Sequence, residues 1–124
     1  MKKILPTFFF SFLFCCNFLF AQVPSIQWQK CYGGSAWEYS KAVRQTSDHG
    51  YFIGGTTVSV DGNVSGDHGG GDYWVFKVDN AGNLEWQSCY GGSYEDDAYS
   101  LELTSDNGFV IAGFTGSEIG RAHV

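Results

Sequence analysis

Apolar and polar residues alternate along Ile26-Gln27-Trp28-Gln29 with the period of two that a half-buried β-strand imposes. A loop opened by Gly33-Gly34 leads to Ser40–Thr46, where the alternation around Ala42 and Val43 is looser. Ser47-Asp48-His49-Gly50 follows, and its His-Gly ending accepts positive φ, which predicts a tight hairpin. Tyr51-Phe52-Ile53-Gly54-Gly55 is apolar on both faces, as a strand held between two layers must be. After a glycine-rich loop, Tyr73 to Val78 reads as a fourth strand, and Asp79-Asn80-Ala81-Gly82-Asn83 as a turn. No stretch of the mature region carries a helical period.

The pattern then starts again. Sliding the chain by 58 residues aligns Ile26–Ser59 with Leu84–Ser117 without a gap, pairing Trp28 with Trp86, Cys31 with Cys89, Gly33-Gly34 with Gly91-Gly92, and Asp48 with Asp106. Self-similarity at a fixed period means that one supersecondary unit has been copied, and such a unit cannot bury its apolar faces alone. Four short strands per unit predict an all-β fold of antiparallel four-stranded propeller-blade repeats, incomplete at just under two blades. The repeated tryptophan is then an apolar plug, and the paired glycines let the backbone turn where a Cβ would clash. A β-solenoid is the other architecture, but one coil rarely needs so long a period.

The two ends change the domain division. Met1-Lys2-Lys3, an apolar run through Phe8–Phe20 and a break at Ala21 describe a secretory signal peptide over residues 1–21. A lipoprotein signal at Cys15 or Cys16 is disfavoured, because Leu13-Phe14 lacks the small residues of a lipid-attachment site. The first repeat then spans 22–83 and the second, truncated one 84–118. Residues 119–124 have no counterpart in the first copy and resemble a cloning scar, a non-native tail. Without the signal, five basic residues face thirteen acidic ones, about −8, and no basic stripe is present, which excludes nucleic acid as a partner. No transmembrane span is expected in the mature chain.

Candidate chemistry gathers in one loop. Asp61, Asn63, Ser65 and Asp67 place oxygens at positions 1, 3, 5 and 7, with Gly66 at 6 and Asp72 at 12, imitating a calcium loop. The same residues also suit a solvated Gly/Asp/Asn turn. Glu95-Asp96-Asp97 is a second acidic cluster, of a kind that holds a cation or supplies paired carboxylates for glycoside hydrolysis, but it is read as a solvated loop because only the middle acid recurs, as Glu38. His49 is matched by Asn107, so backbone geometry and not imidazole chemistry sets that position, and His68 has no second histidine nearby. Cys31 and Cys89, on neighbouring sheets about 10 Å apart, are too distant for a disulfide and are expected as buried free thiols. Trp37 and Tyr94, in the loop after Gly-Gly, suit either a displayed carbohydrate-binding ring or a cover for the blade edge, and edge packing is expected.

The runs "WQKCYGGS", "SDHGYFIGGTT" and "GGGDYWVFKVDNAGN" resemble the long-period propeller-like repeats of secreted Gram-negative surface proteins, over essentially all of residues 26–117. Members of that group often carry a C-terminal sorting domain of the type IX secretion system, and this sequence has none. The resemblance implies a secreted or surface-exposed bacterial protein and names no activity. The expected function is a non-enzymatic module for binding, adhesion or scaffolding, with a glycan or protein as extracellular ligand. A secreted polysaccharide hydrolase whose active residues lie in other blades is the alternative, and fold alone does not choose.

Overall fold

The computed structural model describes residues 23–118, so the expected signal peptide over residues 1–21 and the expected tail over 119–124 lie outside the described residues. Six strands follow one another: β1 (Glu38–Gln45), β2 (Tyr51–Thr57), β3 (Asp72–Val78), β4 (Leu84–Tyr90), β5 (Asp96–Leu103) and β6 (Phe109–Thr115). The first four form one antiparallel sheet in chain order, and β5 and β6 form a second. The described residues are all-β, with no helix.

The hairpins turn as the repeated Ser-Asp-X-Gly predicts. His49 and Asn107 both sit at φ 65°, the left-handed region that Asn and His tolerate better than branched residues. Each turn is closed by twin bonds, Thr46 N–H to Gly50 O and Thr104 N–H to Gly108 O, both 3.0 Å. Each hairpin also carries a bulge, between Ser40 and Ala42 and again between Ala98 and Ser100. Opposite these bulges stand Gly55 and Gly113, where a Cβ would meet the carbonyl oxygen of Tyr39 or Asp97 at 2.0 Å. Only glycine fits there.

One strand departs from the expectation. Ile26–Gln29 forms no strand, although its twin, β4, pairs with β3 from Tyr73↔Tyr90 to Val78↔Leu84. The first sheet therefore takes three strands from the first repeat and its last from the second. A strand needs an edge to pair with, and among the described residues no second copy of β3 offers one to residues 26–32. That segment instead clings by side chains to the β3–β4 turn: Trp28 Nε1 donates to Asn80 O at 3.0 Å and Tyr32 OH to Gly82 O at 2.6 Å.

The two sheets pack face to face through Phe52, Val75 and Leu101, with Trp86, Phe109, Ile111 and Ala42 at the margin. The far side of the first sheet buries Val64, Trp74, Phe76 and Val78 under Tyr32. Equivalent residues show why a copy is needed. Leu101 is 0% exposed against the first sheet, whereas its twin Val43 is 55% exposed; Phe52 is 5% exposed and its twin Val110 58%. Burying one such side chain contributes about 1.5–3 kcal/mol, which the uncovered twins forgo. Trp28 and Trp86 keep the same company, Trp28 edge-on to Tyr51 and Trp86 stacked on the equivalent Phe109.

Three side-chain expectations are corrected. The cysteines are free, but Cys31 is exposed and Cys89 half-buried, because Cys31 lies on the unpaired segment. Trp37 and Tyr94 are displayed to solvent, 69% and 63% exposed, Trp37 beside the likewise exposed ring of Tyr39. Asp96 is 1% exposed and not part of a solvated acidic loop, because its carboxylate ties down the loop before it.

Candidate functional site

That tie recurs in both repeats. Glu38 Oε1 accepts from Gly34 N and from Thr57 Oγ1, each at 3.2 Å. Asp96 Oδ2 accepts from Gly92 N at 2.8 Å and Ser117 Oγ at 2.9 Å. Ser59 and Ser117 complete the pattern by accepting from Ala36 N and Tyr94 N, at 2.9 and 3.1 Å. Burial works to raise the Asp96 carboxyl's pKa, but donation from Thr115, Gly92 and Ser117 outweighs it and holds the group below its usual value. The glycines are required by space: a Cβ on Gly34 would lie 2.6 Å from the Ser59 Cβ, and one on Gly92 2.7 Å from that of Ser117.

The five oxygen-bearing side chains from Asp61 to Asp72 each have hydrogen-bond partners of their own. Asp61 Oδ1 accepts from Ser35 N at 2.6 Å, and the Ser35 N–H and hydroxyl hold its carboxyl below the usual range. Asn63 Oδ1 accepts from Gly33 N at 3.2 Å. These two oxygens serve the Gly33–Ser35 loop. Ser65 Oγ accepts from Gln87 on β4. Asp67 Oδ1 accepts from Gly69 N at 3.0 Å. Asp72 is 0% exposed, and its Oδ2 accepts from His68 N and contacts His68 Nδ1, both at 2.8 Å. Asp67 Oδ2, Asp72 Oδ1 and Asp96 Oδ1 are buried without a hydrogen-bond partner. Among the described residues no three His, Cys, Asp or Glu side chains gather as a metal set.

Cys89 and His68 lie near the same carboxylates, which raises the question of a nucleophile. Burial, and then the charges of Asp72 and Asp67, push the Cys89 thiol up to about 11. A thiol so disposed stays protonated at neutral pH, the opposite of what nucleophilic catalysis needs. His68 is oriented by Asp72, a pairing that spacing alone did not reveal because the intervening glycines fold the loop back: Gly69, Gly70 and Gly71 have φ 95°, 80° and 113°.

A cleft of about 650 Å³ opens between the sheets at their hairpin end. Its rim is the two equivalent turns, with Ser47, Asp48, Ser105 and Asn107, and its wall includes Phe52 and Trp86. Ser47 Oγ and Asn107 Oδ1 meet at 3.3 Å, and Lys77 reaches Asp48 at 2.6 Å. Sequence reasoning missed this cleft, because it exists only where one repeat lies on the next. No helix among the described residues is long and apolar enough to cross a membrane.

No family model matches the chain, and neither a curated protein nor a solved structure resembles it significantly.

Proposed function

We propose that the chain is part of an exported, non-enzymatic repeat protein of the β-propeller type, whose sheets act as blades and whose loops bind an extracellular glycan or protein. The observation that carries this reading is the first sheet, closed by the opening strand of the next repeat. A unit that lends a strand to its predecessor and stacks on it is suited to serial extension. Blades supply the rigid frame, and loops and the cleft between sheets supply the surface for a ligand. That cleft joins an aromatic wall, Trp86 and Phe52, to a rim of hydroxyls, an amide and charges, the combination that orients a polar ring over an apolar face. The leader at residues 1–21 supports export to the cell surface.

The test is a glycan array followed by incubation with a polysaccharide panel. Retention of a glycan with no release of product is expected, and retention should weaken in Asn107→Ala. Release of reducing ends would overturn the non-enzymatic reading in favour of a hydrolase.

A further inference from the structure

Asp72 opens β3 and Asp96 opens β5, so they belong to different sheets, yet both carboxylates converge beside Gly91. A Cβ placed on Gly91 would lie 2.3 Å from Asp72 Oδ1 and 2.6 Å from Asp96 Oδ2. The backbone fixes this approach, since Asp96 N donates to Gly71 O at 2.8 Å. Both residues are essentially unexposed, and Asp72 Oδ1 has no hydrogen-bond partner. Among the described residues neither acid meets a lysine or arginine; Asp72 has His68 on its other oxygen. Two adjacent buried carboxylates with no lysine or arginine beside them repel each other and lose hydration, costs that proteins offset with a bound cation or a shared proton.

We infer that a hard divalent cation, calcium, binds at this junction, held by Asp72 from one repeat and Asp96 from the next. Carboxylate oxygens are its preferred ligands, and with no third acidic side chain in the set, backbone carbonyls and solvent fill the rest of the shell. The site differs from the contiguous loop that the spacing suggests, because Asp61 and Asn63 direct their oxygens to the Gly33–Ser35 loop. It stands on this geometry and not on the ligand-binding role proposed above. Glu38 takes the place of Asp96 in the first copy, so a site of this kind falls at each junction between consecutive repeats. The described residues contain one such junction.

Titration of the chelator-stripped full chain with calcium chloride, read by calorimetry and by thermal melting, tests the site. One equivalent is expected to bind and to raise the melting temperature, with affinity about tenfold or more weaker in Asp72→Asn and Asp96→Asn. Asp61→Asn should still bind. Terbium luminescence sensitised by the chain's aromatic residues, Tyr73 beside Asp96 among them, and displaced by calcium, reads the wild-type chain even if a variant fails to fold. A melting temperature indifferent to calcium and chelator, or calcium binding lost in Asp61→Asn but kept in Asp72→Asn, would overturn the inference. Stability that ignores calcium but falls as pH rises from about 5 to about 8, in His68→Asn as in the wild type, would assign a shared proton between the two carboxylates instead.

Discussion

His49 and Asn107 show how little of a residue's chemistry a repeat preserves and how much of its geometry. Both hold φ 65°, and neither side chain makes the contact that defines its turn; the backbone of Thr46 and Thr104 does. His49→Asn should therefore leave stability unchanged, while His49→Val should cost about 1–2 kcal/mol, because a β-branched side chain crowds the carbonyl in this region. Equilibrium denaturation of the two variants measures the difference. An imidazole with a functional role would make the asparagine variant lose ligand binding. The exchange of His for Asn between copies made this position legible in the sequence. Asp96 was not legible, because its burial depends on donors from Gly92, Thr115 and Ser117, brought in from both ends of a hairpin. Its recurrence as Glu38, between neighbours that change, was the one available signal.

At the level of strands, β2 and β3 follow from the hydrophobic pattern and both hairpin turns from the repeated Ser-Asp-X-Gly. What alternation cannot convey is partnership. Ile26–Gln29 and Leu84–Gln87 have the same period, but only the second has a β3 beside it, and only the second is a strand. The same asymmetry governs packing energies. Leu101→Ala, at a site sealed by Phe52 and Val75, should destabilise by about 2–5 kcal/mol, whereas Val43→Ala at the twin position should cost far less. Urea titration of both variants tests this, and equal losses would mean that the outer face of β1 is also covered. Arg44 on β1 and Glu102 at the equivalent place on β5 pair across the stack, showing that the sheets lie in register with their repeats.

Across the whole molecule, the surface is acidic and its carboxylates are held by specific donors. Lys77, then Thr46 and Gly50, keep Asp48 well below its usual pKa; hydrogen bonds likewise lower Asp61, Asp79, Asp106 and, through Arg44, Glu102. A carboxyl depressed in the fold stabilises it above its unfolded pKa and loses that contribution as pH falls through the folded value. The melting temperature should therefore fall as pH drops from about 5 to about 3, with most of the loss below about 4. Thermal melts across that range read it; a flat profile would mean that these contacts are screened in solution. The second sheet ends at β6 with Val110 and Phe114 uncovered, an edge and a face that invite another repeat or, failing that, self-association. Most direct is amide hydrogen exchange followed by mass spectrometry on the full chain. Slow exchange along Leu84–Tyr90 in step with Asp72–Val78, and fast exchange over Ile26–Tyr32, is the expected result. Protection of Ile26–Tyr32 with β4 unprotected would contradict a sheet completed by the following repeat.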